Sequence, residues 1–422
     1  MSAGSDDGRR TVHRNAPGRG RRSHADGRRS SGSHPLRRDA VVALTLRKQH
    51  LAPRSGADSV GRVLDDLLGL HATVPLSPYL QLRARMRAFA PEELDRVLDG
   101  ASAAKLGGMR RTLFIESAEL VPVVFAATRG LALRDRDRFL AAYGLTPRRY
   151  ERLTERIVAA ATGRALDASE LRDAIGAEEP LSPVIIVMCD EGRLVRWKGG
   201  GGWRSARPRY RLFDEALPGV RLDAWEERAA VRALIERYIR RYGPVGETDI
   251  AWWTGLSKTS VREALASIED VLPVTIEGLE GVFLVHEADL GALRRPTTPR
   301  AGHVSLLPVL DPYLQGYRDR ERCVDPAHLR FVVDRGGNAT SVILVGGRVA
   351  GVWDFVRRPS PELRLFSFGS LDAGTRRRVR SHATDLAGFL SDGQAAIVET
   401  TRMTPLSGRT TGGFQSPLKD AT

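Results

Sequence analysis

Cysteine is scarce in this 422-residue chain: there are two, Cys189 and Cys323, and they lie far apart. This spacing matches neither a zinc site nor a disulfide framework, so we expect a reducing, cytoplasmic environment. No apolar run approaches the roughly 18 residues that a membrane span requires. The start of the chain also lacks the apolar core of a signal peptide. We therefore expect a soluble intracellular protein that does not contact a membrane.

Several motifs that bind cofactors or carry catalysis are missing as well. The glycines at 199–202 lack the Gly-Lys-Ser/Thr ending of a phosphate-binding loop. There is no Gly-x-Ser-x-Gly nucleophile elbow. No group of histidine, cysteine and carboxylate residues has the spacing of metal ligands. The sequence therefore predicts a protein without a metal or other cofactor.

Lysine is also scarce, and arginine supplies nearly all of the positive charge. The formal net charge is +14 and the isoelectric point is about 10.4. Such an excess indicates a polyanionic partner, most simply nucleic acid. A GC-rich genome produces the same arginine bias through codon usage, so composition alone leaves both explanations open.

Residues 1–36 contain almost no large apolar residue and are rich in arginine, serine, glycine and histidine. Such a segment cannot offset its ordering entropy by burial, so we predict that it is disordered. Its arginines make it a basic arm, for which two interpretations stay open. It is either a non-specific DNA tether or a segment without function, namely a solvated tail or the product of a misassigned start codon.

The most informative stretch is 247–265, which predicts two helices separated by a tight turn at 255–257. Ser257 is a good N-cap for the second helix, because its hydroxyl can accept an unpaired backbone N–H. Residues 271–285 then alternate between apolar and polar, as in a hairpin. This is the order of a winged helix, whose second helix is presented to DNA. The outward side chains of that helix include Lys258, Ser260 and Arg262.

The same order of helices followed by a hairpin predicts an α+β fold of tandem winged helices. The predicted units are 37–146, 147–222 and 223–298. Short apolar or alternating runs then predict a mostly β, barrel-like domain over 299–400. Among them are 304–308, 331–335, 341–345, 348–355 and 363–368. A helix at 372–390 closes that domain, and 401–422 is predicted to be a flexible tail.

Three stretches together resemble one family. They are Leu70 to Arg85, which contains Val74-Pro75-Leu76-Ser77-Pro78-Tyr79, then Met109 to Leu113, and Leu306 to Arg320 with Asp311-Pro312-Tyr313. The combination is similar to the bacterial winged-helix DNA glycosylases of the AlkZ/YcaQ type. The resemblance implies tandem winged helices and a C-terminal β domain that form a C-shaped clamp on duplex DNA. It also implies a monomer, since three modules already surround the DNA.

The resemblance further implies excision of alkylated purines, including bulky N7 or N3 adducts and crosslinks, in DNA repair or antibiotic self-resistance. The family's catalytic motif is a glutamine, a hydrophobic residue, then glutamine or aspartate. In this chain His71, Ala72 and Thr73 occupy that position. With an unperturbed pKa near 6.5, a histidine can hold the attacking water and accept its proton. The Thr73 hydroxyl can orient the same water.

Each candidate residue also has an ordinary structural interpretation. His71 can be a histidine that caps the end of the 58–70 helix. Arg110 and Arg111, predicted in a short strand, can grip phosphates or form a solvated face. Lys198, Arg204, Arg207 and Arg209 surround the glycine turn at 199–202, and we favour a basic wing along a phosphate backbone over a merely mobile loop. Arg318 and Arg320 can face DNA or pair internally with aspartate.

Two hypotheses about function follow. The first is a monofunctional DNA glycosylase that acts on alkylated double-stranded DNA. The alternative is a catalytically inactive winged-helix DNA-binding protein or transcriptional regulator, which the missing glutamines favour. A regulator should footprint a defined operator, whereas a clamp should bind any duplex with a steep dependence on salt.

Overall fold

A computed structural model describes residues 34–56, 60–197, 203–204, 207–295, 297–300, 302–357, 359–406 and 416–418. From His34 onwards these residues belong to one compact unit. The predicted basic arm lies almost entirely outside the described residues, as do Lys198 and the glycines at 199–202. Among the described residues, no helix is both long and apolar enough to cross a membrane.

Helices dominate the first three quarters of the described chain. In chain order they are α1 Arg38–Lys48, α2 Val60–Leu67, α3 Ser77–Arg85, α4 Pro91–Asp99, α5 Val121–Leu133, α6 Arg136–Ala142, α7 Pro147–Ala161, α8 Ala168–Ala174, α9 Ser182–Asp190, α10 Phe213–Ala216, α11 Glu227–Tyr242, α12 Glu247–Thr254, α13 Lys258–Leu265, α14 Leu290–Arg294, α15 Pro312–Gln315, α16 Leu329–Val332 and α17 Ala373–Ser391.

The strands form three sheets in the described part of the chain. They are β1 Leu70–His71, β2 Ala103–Gly107, β3 Leu113–Ser117, β4 Leu194–Trp197, β5 Arg209–Leu212, β6 Val271–Val274, β7 Phe283–His286, β8 Val304–Leu307, β9 Val342–Val345, β10 Arg348–Val356, β11 Glu362–Ser367 and β12 Ala396–Glu399. One sheet has the order β1-β3-β2-β4-β5, a second has the order β12-β11-β10-β9-β8, and β6 pairs with β7.

The first sheet combines strands from two of the predicted units. Strands β1, β2 and β3 come from 37–146, whereas β4 and β5 come from 147–222, and they meet where Lys105 pairs with Arg196. Helix α5, from the predicted unit 37–146, packs against α11, from the predicted unit 223–298, in the largest apolar core of the described residues. The unit boundaries stay predictions, but these units share a sheet and a core.

The predicted helix-turn-helix is present as α12 and α13, and the predicted hairpin follows as β6 and β7. Gly255 ends α12 with φ of 81°, a left-handed conformation that glycine adopts without strain. The Ser257 hydroxyl accepts the Ser260 N–H at 3.1 Å, which confirms the predicted N-cap. Ile250 and Val261 are buried in the same core as α11.

The C-terminal sheet differs from its prediction in three places. Within the described residues its edge strands β8 and β12 do not pair with each other, so the sheet is open and the expected barrel does not close. The run 331–335 is not a strand, because helix α16 ends within it at Val332. Strand β12, which adds to β11 in parallel, was not predicted.

The described parts of the predicted flexible tail contact the body of the protein. Leu418 is fully buried, and its carbonyl accepts a hydrogen bond from Arg364. Leu406 is also buried, and its N–H donates to the Arg330 carbonyl at 2.9 Å. Residues 401–406 and 416–418 are therefore tied to the C-terminal sheet.

A buried ion pair joins the N-terminal helices to the segment that follows β8. Arg85, at the end of α3, is 0% exposed, and its two Nη atoms donate to the two Oδ atoms of Asp311 at 2.7 Å each. Asp311 is 1% exposed and also accepts the Tyr313 N–H, which starts α15. This pair fixes the position of α15 relative to α3.

Candidate active site at the end of strand β1

His71 is held in place by a sharp turn and a strand pairing. After α2 the chain turns through Leu68 and Gly69, both with positive φ, into the two-residue strand β1. A Cβ on Gly69 would lie 3.0 Å from the Ile115 carbonyl oxygen, so the close approach to β3 requires glycine. His71 then pairs with Phe114, and the two ring centroids are 4.9 Å apart.

The backbone of His71 is fixed by a buried glutamine on helix α3. Gln81, in α3, donates from Nε2 to the His71 carbonyl oxygen at 3.0 Å and is fully buried. Helix α3 follows the Pro75 loop closely, so Gln81 faces back towards β1. Gln81 therefore positions the histidine, although it does not line the cavity described next.

The His71 side chain lines a small, mostly buried cavity. The space open to the centre of a water molecule is about 10 Å³, which is at the lower limit for one ordered water. Arg110 and Thr112 are half-buried and mark the side of the cavity nearest to solvent, whereas its other lining residues are buried. The lining consists of His71, Arg110, Thr112, Phe114, Tyr242, Trp253, Leu310, Pro312 and Gln315.

The imidazole of His71 is neutral at physiological pH. Burial lowers its pKa to about 3, and the positive charges of Arg110 and Lys105 act in the same direction. Its Nδ1 atom is buried without a hydrogen-bonding partner in the described part of the protein. This differs from the expected base with a pKa near 6.5. A neutral imidazole this weakly basic can accept a hydrogen bond from water but cannot store a proton near neutral pH.

Thr73 does not share this cavity with His71. It is exposed, its hydroxyl accepts the Leu113 N–H at 3.3 Å, and it lines a separate groove of about 280 Å³. Three arginines border that groove, namely Arg111, Arg129 and Arg196. Thr112 lines both the groove and the cavity, so the two are neighbours. Of these residues, the sequence analysis had singled out only Thr73 and Arg111.

Arg110 and Arg111 lie in a 3₁₀ turn between β2 and β3, not in a strand as predicted. Both have positive φ, which is uncommon for residues other than glycine. The guanidinium of Arg110 stacks on Trp252 with its Cζ 3.9 Å from the ring centroid. A Cβ on Gly255 would lie 3.2 Å from the Arg110 backbone, so the turn of the helix-turn-helix is packed directly against this site.

Arg320 is hydrogen-bonded inside the protein, to backbone carbonyls and not to the expected aspartate. It is buried, and its guanidinium donates to the carbonyl oxygens of Leu314, Arg318 and Gly337. Its neighbour Arg318 is exposed, while the backbone N–H of Arg318 donates to Asp249. Arg320 therefore supports the backbone around α15, and of these two arginines Arg318 presents its side chain to solvent.

The other predicted DNA contacts are spread over two surfaces. Arg204 pairs with Asp392, and Arg209 pairs with Glu170, whereas Arg207 is exposed. On α13, Lys258 and Arg262 are exposed, with Arg262 also paired to Glu247. Ser260 is half-buried and hydrogen-bonds to Ser257. Lys198 lies outside the described residues.

Trp252 and Trp253, in the helix-turn-helix, pack against neighbouring side chains. Trp253 is buried and stacks on Tyr238, with ring centroids 4.7 Å apart. Trp252 is half-buried between Arg110 and Arg320. The helix-turn-helix therefore contributes one wall of the His71 cavity, through Trp253, and the platform on which Arg110 rests.

Comparison with known proteins gives concordant results. The family model described as DNA glycosylase AlkZ-like matches residues 64–389. An interstrand DNA cross-link repair glycosylase of Streptomyces sahachiroi is 28% identical over 342 residues, which cover 75% of this chain and 87% of that protein. The solved structure of Streptomyces sahachiroi DNA glycosylase AlkZ has a TM-score of 0.71 at 22% identity, and the match covers 87% of this chain and 100% of that chain.

Proposed function

Because the chain belongs to the AlkZ-like DNA glycosylase family, we propose that it hydrolyses the N-glycosidic bond of alkylated purines in duplex DNA, with His71 holding the attacking water. One observation carries this proposal. At the position of the family's catalytic motif, a buried imidazole with an unpartnered nitrogen lines a cavity of the size of one water. A groove bordered by arginines lies next to it.

The protein does not need to protonate the leaving base. An N7-alkylated guanine is already cationic, so the bond between C1′ and N9 can break with its electron pair going to N9, and the base leaves neutral. The sugar becomes oxocarbenium-like, and the oxygen of water then bonds to C1′. That oxygen is strongly acidic once bonded, so a weakly basic imidazole suffices to take its proton and pass it to solvent. The product is an abasic site.

DNA is proposed to reach the cavity from the groove. Arg111, Arg129 and Arg196 there carry three positive charges that suit a phosphate backbone. We infer that α11 to β7 form a winged helix, since its helices and hairpin follow the winged-helix order and its turn contacts Arg110. The exposed Lys258 and Arg262 on α13, together with Arg318, extend the basic surface from this point. A single chain bound as a C-shaped clamp is part of the proposal.

The substrate class is proposed to include bulky adducts. The Streptomyces sahachiroi relative acts on interstrand DNA cross-links. The His71 cavity is too small for a flipped purine, so the base would stay outside it while water attacks from within. Excision of a bulky N7 or N3 adduct, in repair or in antibiotic self-resistance, is compatible with that arrangement.

Base release from defined duplexes tests this function. The protein is incubated with one duplex that contains a single N7-methylguanine and with another that carries a nitrogen-mustard crosslink between N7 atoms, and abasic sites are then cleaved by alkali. We expect strand breaks at the modified guanines and none in an unmodified duplex. Tight binding to both duplexes without any break would instead identify a DNA-binding protein without catalytic activity.

The pH profile of excision should be flat where a conventional histidine would titrate. Because the pKa of His71 is lowered to about 3, the neutral, active form persists as pH falls, and activity should be lost only as pH approaches that value. A base with a pKa of about 6.5 would instead lose roughly tenfold in rate per pH unit below it. Single-turnover rates between about pH 5 and pH 8, corrected for spontaneous depurination, distinguish the two.

A further inference from the structure

Two side chains that line the same cavity each carry a buried polar atom with no partner among the described residues. One is Nδ1 of His71 and the other is Nε2 of Gln315, and both side chains are 4% exposed. Buried polar side-chain atoms are nearly always hydrogen-bonded, to protein or to ordered water. Two such atoms beside a space that fits about one water indicate a water site.

The orientation of the Gln315 amide is set by its other end. Its Oε1 accepts the Ala339 N–H at 3.0 Å, so Nε2 is the atom left to donate. Gln315 lies at the end of α15, whose first turn is held by Asp311 and thereby by the buried Arg85. The amide is therefore fixed at both the side chain and the backbone, as a group that positions a reactant must be.

We propose that Gln315 and His71 hold the attacking water between them, which makes Gln315 a second catalytic residue. The proposal rests on the glycosylase function given above. Gln315 Nε2 donates to one lone pair of the water, and the water donates one O–H to His71 Nδ1. The second lone pair is then free to bond with C1′ as the bond to N9 breaks. His71 takes the proton of the newly bonded oxygen and passes it to solvent.

Together the two residues offer one water molecule both a hydrogen-bond acceptor and a donor, which neither residue offers alone. The neutral imidazole with its proton on Nε2 offers only an acceptor at Nδ1, and the fixed amide offers only a donor at Nε2. Arg110, which lines the same cavity, helps to keep His71 unprotonated. Thr73 is not needed for this arrangement, because it lies in the groove.

Single-turnover excision from the N7-methylguanine duplex tests the pairing. Gln315→Leu should lower the rate about 10²-fold, on the order of the loss of one positioned catalytic hydrogen bond, while duplex affinity is retained. Gln49→Leu is the matched control, since Gln49 is also buried with an unpartnered Nε2 but does not line the cavity. Its rate should equal that of wild type. An unchanged rate in folded Gln315→Leu would overturn the proposal and leave the function of His71 intact.

A near-isosteric variant keeps the test informative if Gln315→Leu does not fold. In Gln315→Glu only the protonated carboxyl group can donate to the water as Nε2 does, so its excision rate should fall as pH rises through the pKa of that carboxyl group, a basic limb that wild type lacks. Identical pH profiles for Gln315→Glu and wild type would indicate a purely structural glutamine and refute the proposal.

A crystal structure of the free protein tests the water site without any substrate. We expect one ordered water within hydrogen-bonding distance, about 2.6–3.2 Å, of both His71 Nδ1 and Gln315 Nε2. That water should be missing or displaced in Gln315→Leu. A cavity without water in wild type would refute the pairing even if the enzyme does not excise N7-methylguanine. If the water is present and wild type excises neither duplex, the proposed function fails and the water site stands.

Discussion

Replacement of His71 by alanine should lower the single-turnover rate of base release by about 10²–10⁴-fold, the range for a lost acid–base or water-positioning group. Binding to the same duplex should be nearly unchanged, because His71 is buried in its own cavity and the arginines border the neighbouring groove. Rates are measured with enzyme in excess over the N7-methylguanine duplex, and affinity by fluorescence anisotropy.

His71→Gln provides the control for shape and polarity. Glutamine is the residue of the family's motif at this position, and its amide oxygen can accept a hydrogen bond from the same water. This variant should recover a large part of the activity that alanine loses. If alanine abolishes DNA binding together with excision, His71 has a structural role and the proposed mechanism is wrong.

Breaking the buried pair of Arg85 and Asp311 should have the largest effect on stability. Arg85→Met leaves the Asp311 carboxylate buried without its two charge-assisted hydrogen bonds, which costs about 3–5 kcal/mol of unfolding free energy. Urea denaturation followed by circular dichroism measures this loss. The double variant Arg85→Met/Asp311→Leu should regain much of it, since no uncompensated charge remains.

A surface pair serves as the matched comparison. The side chains of Arg204 and Asp392 are 31% and 75% exposed, and they form a similar two-bond contact. Arg204→Met should cost only about 0–1 kcal/mol, because solvent screens exposed ion pairs. Equal losses in the two arginine variants would show that burial of the Arg85 pair does not govern its contribution.

Local patterns predicted much of the secondary structure. The helix predicted at 372–390 is present as α17, and the residues 255–257 marked the turn of the helix-turn-helix because Gly255 and Ser257 have strong local preferences. The failures have physical causes. Phe331, Val332 and Val333 form an apolar run in which the first two residues are buried. So short a run does not distinguish a buried helix from a buried strand.

The candidate site was predicted only in part. His71 was found because it occupies the motif position of a family that the chain resembles. Its low pKa could not be read from the sequence, since it arises from burial and from Arg110 and Lys105, which tertiary structure brings near. Gln315 gave no signal at all, because the cavity that it shares with His71 exists only after distant segments pack together. Arg320 resembled a DNA contact, yet its partners are nearby carbonyls.

The cavity around His71 draws its walls from β1, from the turn before β3, from α11 and α12, and from residues 310–315. These segments leave the ribosome at widely separated times. A nascent chain whose N-terminal helices have already folded thus lacks the proposed catalytic pair until Gln315 has been synthesised and α15 has docked on Arg85. A proteolytic fragment that ends before this point is expected to be inert towards DNA bases, even if it retains the groove bordered by arginines.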